Sequence, residues 1–393
     1  MVNDSIKNKL QTPCFVFNES MFIKNVQDFY TALRKFFSNP IVGYSFKTNS
    51  IPRVLKLARD NGCYAEVVSD DEYKLAEKLG FAPNNIIFNG PVKGRDTFLQ
   101  AIEKGSTINI DSKREVEWLI ESGLSTDVGI RVNFDLEKQL PGQTSTGEEG
   151  GRFGFCYENG ELHAVLRKLK KQGISTSRLH MHVSNASKSE EVYQCLAEMA
   201  CKIIDEEELD IKCIDFGGGF FGGGDDGKQY EKYVSSIYKT LKHHGKEDCT
   251  IIVEPGASVI ATCFSYLTSV VDIKDTNHGR FVITDGTRLH IDPYMAKKKY
   301  NYSLLKSGIS ELKEQCVCGC TCMEKDRIMK IIDQELIVGD RVLYEVVGSY
   351  TMCFNSLFIT YLPRVYSLIT GKVEMIREKW SVGEYIQKCR WEF

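Results

Sequence analysis

Ile41-Val-Gly-Tyr-Ser-Phe-Lys47-Thr-Asn-Ser50 is a short apolar run that ends on a single lysine. Read as a strand, it sets Val42, Tyr44 and Phe46 on one face and Ile41, Gly43, Ser45 and Lys47 on the other, because side chains alternate along an extended chain. The lysine therefore shares its face with small residues, which leaves room beside it. Similar runs recur at residues 64–69, 86–90, 107–111, 128–133, 178–184, 213–218 and 250–254, making eight with the first. Between them, residues 52–61, 71–79, 114–122, 161–172, 190–205 and 228–244 carry helical spacing. Strand and helix alternating eight times predicts an α/β fold, a (β/α)8 barrel of parallel strands with helices outside.

Outside this repeat the texture changes. Residues 12–17 read as a strand, followed by a helix over 20–37 with Ser20 as its cap. After Ser258, strand-like runs at 264–273, 280–284, 327–333, 341–347 and 365–368 follow with few helical intervals. The expected domains are a barrel over residues 24–261 and a β-rich domain over 262–393, joined by the N-terminal strand within 1–23. A chain of 393 residues is long enough for both.

With 42% hydrophobic and 26% charged residues and a net charge of -3, the chain reads as globular, with no basic excess for nucleic acid or an anionic membrane. It has no apolar run of about 18 residues and no leader with a basic then apolar pattern, so a cytoplasmic protein acting on a small molecule is expected. Most of the fourteen cysteines sit singly in apolar segments and read as reduced packing residues. The exception is Cys316-Val-Cys-Gly-Cys-Thr-Cys322, four cysteines at every second position. Structural zinc ligands are usually spaced by two or more residues, so no metal is expected.

In a parallel barrel the chemistry gathers where the strands end. Lys47 falls there; alone it reads as a solvated lysine, but in a confined pocket such an amine can form a Schiff base with an aldehyde. On the sixth run Arg178, His180, His182 and Ser184 share a face, which places His182 near the top; a lone histidine is more often structural. The seventh run leads into Asp215-Phe-Gly217-Gly218-Gly219-Phe-Phe-Gly-Gly-Gly224, where consecutive glycines expose N–H groups to a phosphate. The eighth delivers Glu254-Pro-Gly256, with Ile251 and Val253 outward and Glu254 inward, where a buried carboxylate needs a partner. Jointly these residues specify a pyridoxal 5'-phosphate site: Lys47 for the aldehyde, His182 for the ring face, Gly217 to Gly219 for the phosphate and Glu254 for the pyridinium nitrogen.

At this point the sequence resembles the barrel-type pyridoxal phosphate decarboxylases, which include the diaminopimelate, ornithine and arginine decarboxylases. The matching pieces run in family order: Tyr44-Ser-Phe-Lys47-Thr-Asn, Ala65-Glu-Val-Val-Ser69, Ile108-Asn-Ile-Asp-Ser112, Arg131-Val-Asn133, Arg152-Phe-Gly154, His180-Met-His182-Val, Asp215-Phe-Gly-Gly-Gly219, Glu254-Pro-Gly256, Cys322 with Asp326, and Gly348-Ser-Tyr350-Thr. The resemblance implies the roles above, with Gly256 at the cofactor, Cys322 as the acid that protonates the α-carbon after carbon dioxide leaves, and Tyr350 as a phosphate contact. It implies a homodimer with shared active sites, the cysteine crossing from the neighbour.

The departures concern the substrate. The family's usual HVGS is His182-Val-Ser-Asn185, and its EPGR is Glu254-Pro-Gly-Ala257, so Ser184, Asn185 or Ser258 would have to replace an arginine. Met323 takes the place of the carboxylate that follows the cysteine, with Glu324 adjacent, and Asp292 that of the arginine that reads a distal carboxylate in diaminopimelate enzymes. The expectation is a decarboxylase of an amino acid or amino-acid-bearing conjugate. A racemase on the same barrel would usually set an arginine where Glu254 stands, and a regulatory homologue would tend to lose Lys47 or Cys322.

Overall fold

The computed structural model describes residues 9–223, 227–308, 311–369 and 371–391; Gly224 and the first eight residues lie outside them. The chain divides into two compact units, Ile23–Val259 and the segments on either side of it.

In the first unit eight parallel strands close on themselves: β1 (Ile41–Ser45), β2 (Tyr64–Val67), β3 (Ile86–Phe88), β4 (Thr107–Ile110), β5 (Asp127–Asn133), β6 (Ser175–His180), β7 (Cys213–Asp215) and β8 (Thr250–Val253). Each pairs with its neighbours in chain order, and β8 pairs with β1 to close the ring. The predicted helices lie between them, and Arg95–Glu103 adds one whose periodicity in the sequence is weaker. Ser69 and Ser112 end two βα turns as caps, accepting from Glu72 N at 3.2 Å and Glu115 N at 3.4 Å.

Alternation along these strands builds the interior in tiers. Ile87, Cys213 and Ile252 form a buried apolar cluster with Ile41 and Tyr64 packed against it. Two residues further along β3, β7 and β8, the same inward direction yields Asn89, Asp215 and Glu254, all buried. An apolar floor thus carries a polar tier at the C-terminal ends of the strands. Gly43, inward on β1, stands where a Cβ would lie 2.9 Å from Ile87 Cδ1.

The second unit is a nine-stranded sheet around the long strand Phe264–Thr276. That strand pairs antiparallel with Cys14–Asn18 and Arg341–Glu345 along its first half and with Gly279–Thr284 along its second. Cys14–Asn18 is parallel to Arg364–Ile369, so the N-terminal strand completes this sheet. Leu10, Cys14, Val16, Leu267, Leu343 and Leu368 form one of its cores. Asn301–Leu305, Glu314–Cys318 and Lys372–Arg377 are strands that hydrophobic runs did not reveal. The helix expected at 20 begins at Glu19, and its cap is Asn18, whose Oδ1 accepts from Met21 N at 3.1 Å.

No helix among the described residues is long and apolar enough to cross a membrane.

Candidate active site

Lys47 does not continue β1. The strand ends at Ser45, and Phe46–Thr48 make a 3-10 turn that carries the lysine. Its Nζ nevertheless donates to Glu66 Oε2 at 2.8 Å, and Ser45 Oγ donates to the same oxygen at 2.5 Å. Gly256 allows this turn to pack against the end of β8, because a Cβ there would lie 2.1 Å from Thr48 Oγ1.

From Glu66 a chain of hydrogen bonds crosses the polar tier. Asn89 Nδ2 donates to Glu66 Oε1 at 3.1 Å and to Glu254 Oε1 at 2.6 Å. Asn109 Nδ2 donates to Asn89 Oδ1 at 2.8 Å and to Asp215 Oδ2 at 3.2 Å. His180 Nε2 lies 3.5 Å from Glu254 Oε2. Three carboxyl groups therefore share a closed space, and they do not all ionise. Burial and then Glu254 push the Asp215 carboxyl well above its ordinary range, so it holds its proton. Burial alone would raise Glu254 as well, but His180 and Lys47 outweigh it and hold that carboxyl below the usual range, so it stays anionic. Ligand atoms of His180, Asp215 and Glu254 lie within 4.8 Å of one another. A protonated Asp215 makes this a poor cation cage and a good support for one carboxylate facing a cationic ring.

His182 lies beyond the end of β6 rather than on it, with its ring 6.1 Å from that of His180 and 18° from parallel. Burial, then Arg131, His180 and Lys47, hold its pKa well below that of free imidazole, so it is neutral. Its Nδ1 accepts from Gly218 N at 3.0 Å, which leaves the proton on Nε2.

The glycine turn differs from the sequence reading. Gly217 N donates to Asp215 Oδ1 at 2.9 Å, and Gly218 N to His182, so neither N–H is turned outward to an anion. What these glycines supply is space: a Cβ on Gly217, at φ 62°, would sit 2.3 Å from His182 Nδ1, and one on Gly218 2.8 Å from the Glu254 carbonyl oxygen. Gly219 abuts Asn185 Cβ. Ser258 Oγ is buried with no hydrogen-bond partner among the described residues.

The remaining candidates belong to the second unit. Cys322 is exposed on the loop after Glu314–Cys318. Buried Asp326 pins that loop by accepting from Thr321 Oγ1 at 2.7 Å and Thr287 Oγ1 at 2.9 Å. Met323 N meets Thr321 Oγ1 at 3.4 Å, and Glu324 pairs with Arg327 at 3.0 Å on the surface. Asp292 is buried and engaged: it accepts from Arg288 Nη2 at 2.8 Å, Tyr300 Oη at 2.9 Å, Ala296 N and Lys297 N, which hold its carboxyl below the ordinary range against burial. Tyr350 takes the left-handed conformation at φ 53°, a strained state for a non-glycine residue.

Glu66, Asn89, Asn109, Asp215 and His180 received no role from the sequence. Each has the inward register of its strand, the one signal that could have singled it out.

The fit for a pyridine aldehyde phosphate is good on the chain's own terms: a lysine amine at one end, an anionic carboxylate across the tier, a neutral imidazole between, and a turn kept clear by glycines. The family model described as pyridoxal-dependent decarboxylase, pyridoxal binding domain, matches residues 23–261. A probable chloroplastic diaminopimelate decarboxylase of Oryza sativa is 27% identical over 98% of this chain and 81% of its own length. Diaminopimelate decarboxylase of Zymomonas mobilis is 29% identical over 97% and 94%. Among solved structures, diaminopimelate decarboxylase of Methanocaldococcus jannaschii in co-complex with L-lysine superposes with a TM-score of 0.86 at 21% identity, over 100% of this chain and 98% of that one. The match over the whole barrel agrees with what the polar tier offers chemically, and the chain belongs to the pyridoxal-dependent decarboxylases, with pyridoxal phosphate as its cofactor.

Proposed function

We propose that the protein removes the α-carboxylate of an amino acid or amino-acid-bearing conjugate, with Lys47 as the covalent anchor and Glu254 as the ring-nitrogen partner. Pyridoxal phosphate, when bound, supplies an aldehyde that condenses with amines and a protonated pyridine that draws electrons from the α-carbon. The chain's own groups do the rest. Glu66 orients the Lys47 amine. Glu254, kept anionic by its neighbours and backed by protonated Asp215, accepts the pyridine N–H and so keeps the ring nitrogen charged. Neutral His182 covers a ring face without adding a competing cation. Gly256 keeps the Lys47 turn close to Glu254. Gly217 and Gly218 hold the turn open, while the Gly219 N–H that follows them, with Ser258 and Asn185, receives the phosphate in place of the family arginine. Cys322 returns a proton to the α-carbon, and Tyr350 contacts the phosphate.

We also read the protein as a cytoplasmic homodimer in which Cys322 serves the barrel of the neighbouring copy. The exposed apolar residues Tyr350, Phe354, Leu357, Phe358 and Ile359, close together in sequence, support this, since clustered exposed apolar residues often mark a partner surface.

The observation that carries the function is the anionic Glu254 held by Asn89 and His180 across the tier from Lys47. The substrate's far end differs from that of diaminopimelate, because Asp292 is consumed by its own loop and Met323 is uncharged. Carbon dioxide release from a panel of free amino acids and their conjugates tests both points. Release from none of them by cofactor-loaded protein rejects the activity; meso-diaminopimelate as the best substrate rejects the specificity.

A further inference from the structure

Outside the decarboxylation site, two cysteines stand on one side of the strand Glu314–Cys318. Cys316 and Cys318 are two residues apart, so they share a face, and their sulfurs lie 3.9 Å from one another. Cys316 is half-buried and lines a cavity of about 350 Å³ with Arg327, Lys330, Met329 and Glu314, whereas Cys318 is buried. Across the antiparallel neighbour Arg327–Ile332, Lys330 stands opposite Cys316 and Arg327 opposite Cys318. The register slips between these two pairs, leaving Ile328 as an extra, unpaired residue of the neighbouring strand. Cys318 donates its S–H to the Cys316 sulfur, and this, with Arg327 and Lys330, holds the Cys316 thiol below its ordinary range against partial burial; the same hydrogen bond and burial push Cys318 up. One sulfur is thus accessible and close to ionised, and the other is protonated behind it.

We propose that Cys316 and Cys318 form a peroxide-reactive dithiol in which Cys316 is oxidised first and Cys318 closes it to a disulfide. The Cys316 thiolate attacks the O–O bond of a hydroperoxide. A sulfur–oxygen bond forms, the O–O bond breaks, and the departing oxygen leaves as water or an alcohol after taking up a proton. The Cys318 sulfur then attacks the Cys316 sulfur; the S–S bond forms, the S–O bond breaks, and hydroxide leaves as water with the Cys318 proton. Two thiols lose two electrons and two protons, and the peroxide gains them. Residues two apart on a strand have Cα atoms about 6.6 Å apart, near the upper end, about 6.8 Å, of what a disulfide spans. Lys330 and Arg327 stabilise the thiolate before the first step, and neither sulfur has a role in the decarboxylation.

The test uses the reduced, cofactor-loaded full chain, treated with hydrogen peroxide, alkylated and digested. Fragmentation of the peptide spanning residues 314–325 then locates each modification. The expected result is a disulfide between Cys316 and Cys318 that a thiol reductant reverses. In Cys318→Ser, a dimedone adduct should appear on Cys316; in Cys316→Ser, Cys318 should react at least about tenfold more slowly than Cys316 does in wild type, because only the thiolate is a good nucleophile. Pairing of either residue with Cys320 or Cys322, or oxidation confined to Cys322, overturns the proposal. So does a Cys318 that reacts in Cys316→Ser as fast as Cys316 does in wild type. If a variant fails to fold, the wild-type disulfide map alone decides between these outcomes.

Discussion

The amine of Lys47 rests on the buried carboxylate of Glu66, Nζ to Oε2 at 2.8 Å, while Asn89 ties that carboxylate to Glu254. The orientation of the anchor and the ionisation of the ring partner therefore meet in one network. Glu66→Gln keeps the shape and removes the charge. A hydrogen bond to a charged group contributes about 1.5–3 kcal/mol, so turnover should fall roughly ten- to a hundredfold. Borohydride should still fix the cofactor on Lys47, more slowly than in wild type. Unchanged turnover would show that Ser45 and Asn89 alone hold the site.

Lys93 and Glu115 form a fully buried pair, Nζ to Oε2 at 3.2 Å, and Lys93 also donates to the carbonyls of Gly90 at 2.7 Å and Asn109 at 3.1 Å. Burial works against the charge of both partners, lowering the lysine and raising the glutamate. Removing one partner leaves the other stranded. Lys93→Met should therefore cost about 3–5 kcal/mol in urea unfolding, and Lys93→Met with Glu115→Leu should recover part of that loss. A single variant as stable as wild type would rule out a coupled pair.

Buried His290 contacts Tyr266 Oη through Nδ1 at 2.6 Å, and burial, with Arg377, lowers its pKa from 6.5 to about 4. The folded state thus refuses a proton that the unfolded chain accepts. Its contribution is intact above pH 6.5, declines as pH falls from 6.5 to about 4, and changes no further below that. Linkage gives a loss of about 2 kcal/mol between pH 7 and pH 5. The drop in unfolding free energy over that interval should be smaller in His290→Gln by this amount. An identical drop in both proteins would mean that His290 protonates freely in the fold.

The barrel was legible because its strands are buried on both faces and read as apolar runs between periodic helices. Lys47 and Glu254 were legible because each closes such a run. Asn89, Asn109 and Asp215 were not: a polar residue at the end of a strand looks like the start of a loop, and its partners lie 20 to 165 residues away. His180 lay one register step before the favoured His182, and period two cannot say where the strand stops. The glycine turn misled for a related reason, since composition shows that N–H groups are accessible but not that Asp215 and His182 already accept them. In the second unit, Glu314–Cys318 escaped because it opens on two polar residues and has a single aliphatic one, Val317, too little for a strand signal.

Cys322 is exposed and belongs to the second unit, whereas Lys47, Glu66 and Glu254 belong to the barrel unit. The proposed homodimer assigns these groups to different chains at each site, which complementation can test. Lys47→Ala and Cys322→Ala should each be nearly inactive in decarboxylation. Dissociated and remixed in equal amounts, they pair at random, so about half the dimers are mixed. In a mixed dimer one site combines both lesions and the other has neither. One intact site of two, in about half the dimers, returns roughly a quarter of wild-type activity for a closed two-fold assembly. If both residues served a site within one chain, every site would still lack one of them, and nothing would return. Subunit exchange must be followed separately, with a mass-tagged copy of one variant. Exchange without recovery then rejects the shared site and leaves the cofactor assignment standing, since borohydride labelling of Lys47 in the Cys322→Ala protein does not depend on the partner.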